Sequence, residues 1–210
     1  MFELNLQIIN FIPALGFFIL NVFIPGPNVL NTIATSMGSG RLPGVACAMA
    51  TGLGVILTSL VALLGAAIIF YKMPLIYQSL TVIGGILLIY FAKRYIQKAL
   101  SSDQKLIALQ DIESKAAFRR AFLVLISNPK MMTTYLAVIS LFPIVASNVQ
   151  YAIIFSLMAG TASFTGHFIF ATVFSTRIAS VIYMKLYRPI NALVGIGFII
   201  YAMKLFLSLL

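Results

Sequence analysis

Two short stretches hold the residue types that could do chemistry: IPGPNVLNT at 24–32 and LISNPKMMTT at 125–134. Each interrupts a long apolar run with proline. A proline inside a helix costs about 3 kcal/mol and a glycine about 1 kcal/mol relative to alanine, so both stretches read as helix breaks. A break leaves backbone groups without partners. Pro25 and Pro27 free carbonyls upstream, Gly26 lets the backbone approach a ligand, and Asn28 is placed to cap the half-helix that follows. In the second stretch Asn128, ahead of Pro129, is placed to cap in the same way, with Lys130 in the first turn. The amino end of such a half-helix presents N–H groups and a positive dipole to an anion. The chemistry on offer is binding of a small polar or zwitterionic molecule. The competing reading is a pair of proline kinks that only shape a bundle.

Lys130 sharpens the choice. A charged side chain at a bilayer centre costs at least about 2.5–3.5 kcal/mol and usually faces a cavity or a partner. None of the four acidic residues falls in an apolar run, so the lysine is a natural counter-ion for a substrate carboxylate. Alternatively, the preceding segment is short enough for it to snorkel to the membrane surface. His167, the single histidine, could relay a proton. It sits near Ser163 and Thr165, where a hydrogen bond between helices is the simpler explanation. Asn21, Asn31, Thr32, Thr58 and Asn191 are further polar residues that could line a path.

These residues need a scaffold, and composition decides its solvent. Of 210 residues 61% are hydrophobic and 9% charged, with a mean hydropathy of +1.07; soluble domains carry about 25% charge. The stretch from Val45 to Tyr71 has no charge, and uncharged runs of this length cross membranes. The chain is an integral membrane protein. Its first apolar run is read as a span and not as a cleaved signal, since Glu3 stands where basic residues belong. Cys47 is alone, which excludes an internal disulfide or a site built on paired thiols.

Six apolar segments follow one another, at 4–37, 43–70, 74–92, 118–147, 150–176 and 189–209, the first and fourth broken. Eleven of the fourteen basic residues fall in three connections: Arg41 in one, Lys93 to Arg120 in the next, and Arg177, Lys185 and Arg188 in the third. The positive-inside rule places those connections in the cytoplasm and both termini outside. This accounts for the net charge of +10 without nucleic acid. The basic linker could dock a regulator, but a solvated connection that fixes topology is the simpler reading.

The halves resemble each other. VIGGILLIYFAK at 82–93 matches LVGIGFIIYAMK at 193–204, aligning Gly84 with Gly195, Tyr90 with Tyr201 and Lys93 with Lys204. The proline breaks recur at similar depth. Three spans per half turn the second half over, so the expected fold is all-α, with six transmembrane helices as two inverted three-helix repeats. The chain is one transmembrane domain, 1–210, comprising a first repeat (1–100), a cytoplasmic linker (101–116) and a second repeat (117–210). The small-residue runs TGLG (51–54), GG (84–85) and GIG (195–197) read as helix-packing faces.

PGPN ending a first span, GRLPG at 40–44 and NPK in the fourth span, on a chain of this length, resemble the LysE/RhtB family of bacterial amino-acid exporters. The resemblance covers essentially the whole chain. It implies a secondary transporter of the bacterial plasma membrane that exports amino acids or close derivatives, driven by proton antiport. It points to Pro25, Gly26, Pro27, Asn28, Asn128, Pro129 and Lys130 as substrate-binding residues, with His167 a candidate for proton coupling. Other expected partners are protons, membrane lipid and, as a candidate assembly, a second copy in a homodimer; no cofactor, metal or nucleic acid is expected. Two departures stand out. Many members carry an acidic residue after PGP where this chain has Asn28, and Pro143 comes thirteen residues after Lys130 where a proline about ten on is common. Without that acid nothing pairs a basic side chain, so the expected substrate is neutral or zwitterionic. Its carboxylate would rest on Lys130 and a half-helix terminus, and its ammonium on freed carbonyls and Asn28. A cation or metal transporter would need carboxylates, thiols or several histidines in the spans. A non-transporting structural or regulatory subunit remains the alternative from another class, and an enzyme is not expected.

Overall fold

A computed structural model describes residues 11–24, 26–72, 76–101 and 109–207. Among them the regular structure is helical: α1 (Phe11–Phe23), α2 (Pro27–Ser39), α3 (Arg41–Lys72), α4 (Ile76–Leu100), α5 (Ser114–Ile126), α6 (Pro129–Leu141), α7 (Val149–Val173) and α8 (Arg177–Leu207). A 3₁₀ turn, Pro143–Ala146, joins α6 to α7. This is the all-α membrane protein that composition predicts.

Among the described residues, two helices are long and apolar enough to cross a membrane unbroken: 26 residues of α3, Arg41–Ala66, and the 25 residues of α7. Two more spans arise if each bent pair counts as one, with α1 and α2 meeting at 48° and α5 and α6 at 52°. Both bends fall at the proline stretches, because proline removes a backbone donor and crowds the preceding turn. The third and sixth expected spans fall on α4 and α8, of 25 and 31 residues. Each runs past its apolar part into basic residues, Lys93, Arg94 and Lys98 in α4, Lys185 and Arg188 in α8.

Much of the packing follows an internal exchange, although the contact of α2 with α3 has no equal between α6 and α7. α3 packs on α7 and α4 on α8; α5 lies on α3 as α1 lies on α7, and α6 lies on α4 as α2 lies on α8. Likewise α2 meets α7 as α6 meets α3. Swapping α1–α4 for α5–α8 therefore returns these packings to themselves.

Lipid tails are as apolar as leucine, so close approach, not hydrophobicity, holds such helices together. A methyl group on Gly52 would stand 2.8 Å from Phe164 Cβ, and one on Gly160 would stand 2.9 Å from the Gly52 carbonyl oxygen. One on Gly195 would lie 3.2 Å from the Ala92 carbonyl. TGLG and Gly195 are thus packing faces, as predicted. Gly197 is not: nothing lies within 4 Å of it, a correction to the reading of GIG. The surroundings of Gly84 lie outside the described residues. Leu57, Val61, Ile153, Leu157 and Ile200 are exposed, the apolar outer face a bilayer requires.

The linker's described end is more than a solvated connection. The Leu109 N–H donates to the Ala34 carbonyl (3.0 Å), and Ser39 Oγ donates to the Leu109 carbonyl (2.5 Å) while accepting from the Ile112 N–H (3.0 Å). The strap crosses Gly38, where a side chain would collide with the Leu109 backbone.

Candidate functional site

The first break is built by proline chemistry. In an unbroken helix the Asn21 carbonyl would accept the N–H of residue 25, and residue 25 is proline. Pro25 itself lies outside the described residues. The last turn of α1 tightens instead, with the Ile24 N–H reaching the Asn21 carbonyl at 3.3 Å. Gly26 then runs extended (φ −145°, ψ 179°) and acts as the N-cap of α2, with Pro27 at the first helical position. This corrects the expected role of Asn28. It lies inside the first turn and does not cap; its side-chain oxygen Oδ1 is buried with no hydrogen-bond partner. Pro27 has no N–H, so Asn28 and Val29 supply the free first-turn N–H groups of α2.

The second break has the predicted cap. Asn128 Oδ1 accepts from the Lys130 N–H at 3.0 Å, and the Asn128 carbonyl accepts the Met131 N–H at 3.0 Å. Pro129 stands at the first helical position; its side chain is outside the described residues. Capping settles the direction of the first turn, and therefore where Lys130 starts from.

The two breaks meet. Lys130 Nζ donates to the Asn21 carbonyl at 2.9 Å and to the Ile24 carbonyl at 3.0 Å. The lysine does not run along its own helix to the surface, as snorkelling would require; it crosses to the carbonyl end of α1. Gly26 makes the room: a methyl group there would lie 3.1 Å from Lys130 Cδ and 3.3 Å from Nζ.

A cavity of about 20 Å³ lies at this crossing, lined by Asn21, Gly26, Asn28, Val29, Asn128 and Lys130 from the breaks. Ser163 and His167 of α7 close it. This is room for about one water molecule and not for an amino acid. His167 is buried, its Nδ1 2.9 Å from the Ser163 carbonyl, and its Nε2 has no partner. The hydrogen bond lies within α7 and not between helices as expected, and the ring still reaches the site.

Other predicted polar residues lie elsewhere. Asn31 accepts from Arg120 Nε at 3.0 Å and faces Cys47. Thr58 bonds Tyr135 at 2.7 Å, and Thr165 and Asn191 turn back onto their own helices. Residue-by-residue reading missed Ile24, whose backbone oxygen accepts from Lys130; the Pro25 offset signals only the Asn21 carbonyl. Met131 and Val22, apolar members of the cavity wall, carried no signal at all.

Fold and site define a multi-pass, all-α membrane protein whose two bent helix pairs meet at a partly buried lysine. The chain belongs to the LysE type translocator family, whose sequence model matches residues 19–209. Among curated proteins it is 28% identical over 127 residues to the uncharacterized membrane protein YahN of Escherichia coli K12, covering 60% of this chain and 56% of that one. It is 25% identical over 116 residues to the leucine efflux protein of Salmonella typhimurium, covering 55% of each. An uncharacterized membrane protein of Haemophilus influenzae is 23% identical over 189 residues, 87% of this chain and 89% of that one. The chain thus spans little more than half the length of YahN and of the leucine efflux protein. No solved structure matches.

Proposed function

We propose that this protein is a secondary active transporter that exports neutral, zwitterionic amino acids or close derivatives across the bacterial plasma membrane by proton antiport. The observation that carries the reading is the Lys130 ammonium, set at the amino end of one half-helix and on the carbonyl end of another. Membership in a translocator family supports transport over catalysis, and the names of the leucine efflux relatives support amino acids as cargo and export as direction.

The site groups sort by charge. Lys130 and the first-turn N–H groups of α2 suit a carboxylate. The Asn21 and Ile24 carbonyls and the unpartnered Asn28 Oδ1 suit an ammonium. Lys130 itself holds those carbonyls and is a tethered substitute for the substrate's ammonium. On binding, the amino acid takes the carbonyls with its ammonium and draws Lys130 onto its carboxylate. Charge stays balanced, and no bare cation is left in the bilayer. The cavity must widen for this, so the two half-helix pairs part during the cycle. The exchange symmetry of the packing supports two inverted three-helix repeats, 1–100 and 117–210, that rock about the site. The basic connections support both termini lying outside. His167, at the cavity wall, is the proposed proton-coupling group.

The test is efflux from proteoliposomes loaded with labelled neutral and basic amino acids under an imposed pH gradient. Gradient-dependent loss of neutral amino acids, with lysine and arginine retained, is expected. If correctly inserted protein moves no amino acid, the exporter reading fails; equal loss of the basic ones removes the restriction to neutral cargo.

A further inference from the structure

A second cavity, an open groove of about 830 Å³, lies between α1 and α8, with the exposed Leu20 and Leu193 among its lining residues. Its size is in the range of small-molecule sites, ~300–1,000 Å³. The walls are apolar, with Phe17, Phe142, Val194 and Phe198 among them, and the rings of Phe17 and Phe142 lie 6.1 Å apart. The cavity adjoins the polar site through shared residues. Asn21 lines both, and Ile24, the other residue whose carbonyl holds Lys130, lines the larger one.

The glycines give an independent indication. A methyl group on Gly52, Gly54, Gly85, Gly160, Gly166 or Gly195 would stand within 3.0 Å of a neighbour, so helix packing accounts for all six. Gly16 of α1 and Gly197 of α8 have nothing within 4 Å, yet both line the large cavity, from its two opposite helices. Glycine is unfavourable inside a helix, and here no close contact requires it. Gly65 of α3 is as open but lines neither cavity; what sets Gly16 and Gly197 apart is their place on the walls of this one, where a side chain would take up its space.

We propose that this cavity is the side-chain compartment of the transport site, and that the cargo is therefore an amino acid with a large apolar side chain. The backbone atoms of the substrate sit at the break and its side chain passes Asn21 between α1 and α8, with Gly16 and Gly197 setting the size it accepts. The inference rests on the amino-acid exporter reading and goes beyond it in naming the side chain and the residues that select it. One methylene more or less in an apolar pocket discriminates about 10- to 200-fold, so filling the cavity must change selectivity.

The experiment measures efflux of leucine, phenylalanine, alanine and serine from proteoliposomes carrying the wild-type chain, Gly197→Leu or Gly16→Leu, matched for incorporated protein. The wild type is expected to favour leucine and phenylalanine, and each substitution to lower their efflux about tenfold or more relative to alanine. Gly16→Ala and Gly197→Ala add one methyl group where nothing lies within 4 Å. They carry the test if the leucine variants do not fold, with a shift of about threefold in the same ratio. A leucine-to-alanine ratio unchanged in the alanine and leucine variants overturns the proposal and leaves the cavity to lipid or a neighbouring chain. A wild type that prefers alanine and serine also overturns it, while the exporter reading survives. A wild type that moves none of the four overturns that reading instead.

Discussion

The Lys130 ammonium stands 2.9 Å from the Asn21 carbonyl oxygen, across 109 residues of sequence. Proline 25 denies that oxygen its helical donor, and proline 129 starts the helix that brings a replacement. Each break thus satisfies what the other leaves open. Lys130 thus has two carbonyl acceptors and, among the described residues, no acidic partner; the proposed exchange trades those carbonyls for a substrate carboxylate.

Room at Gly26 is part of this exchange. Its backbone is extended, a conformation any residue adopts, so Gly26→Ala brings no backbone strain. The added methyl group meets Lys130 at 3.1 Å. Efflux is expected to fall about tenfold, with the melting temperature of the detergent-solubilised protein moving by only a few degrees, since alanine is a poorer N-cap by less than about 1 kcal/mol. Full activity in Gly26→Ala would show that Lys130 need not sit there.

The Asn128 cap separates stability from aim. Asn128→Ala removes the acceptor for the Lys130 N–H and should destabilise by about 1 kcal/mol. Asn128→Ser keeps a capping oxygen and should recover most of the melting temperature. Equal melting of both variants would mean that the cap contributes nothing to stability.

The α3–α7 contact admits little extra volume. Gly160→Leu drives a side chain into Ile56 and the Gly52 carbonyl, and overpacking of this kind costs about 1–3 kcal/mol. A lower melting temperature, with Gly65→Leu as a control in open surroundings, is the expected result. Equal melting of the two would remove close packing as the reason for Gly160.

The strap at 109–112 depends on Gly38 in the same way. Gly38→Val pushes the Leu109 backbone off the end of α2 and breaks its hydrogen bonds to Ala34 and Ser39. Limited proteolysis should then cut the linker faster than in the wild type. An unchanged cleavage rate would mean that the strap holds without that close approach.

Much of this is written in the sequence, for identifiable reasons. Proline and charge are conspicuous in an apolar chain, so both breaks, Lys130 and the bent spans are legible. The cap at Asn128 is legible too, because proline favours the first helical position and the residue before it caps. That rule, applied to PGPN, names Gly26; preferring asparagine by type placed the cap two residues late, at Asn28. The partners of Lys130 are not legible. They are backbone oxygens, which every residue has, and only the tertiary fold brings them across 109 residues. Gly16 and Gly197 escape for the opposite reason. A packing glycine and a space-making glycine look the same until their neighbours are placed.

The most direct measurement compares amino-acid efflux from proteoliposomes carrying wild-type protein and Lys130→Ala, matched for insertion and melting temperature. The exchange of Lys130 from carbonyls to carboxylate predicts at least about a hundredfold loss in the variant, for every amino acid the wild type exports. Efflux that persists at wild-type rates in Lys130→Ala would contradict the account, leaving a transporter whose site is elsewhere.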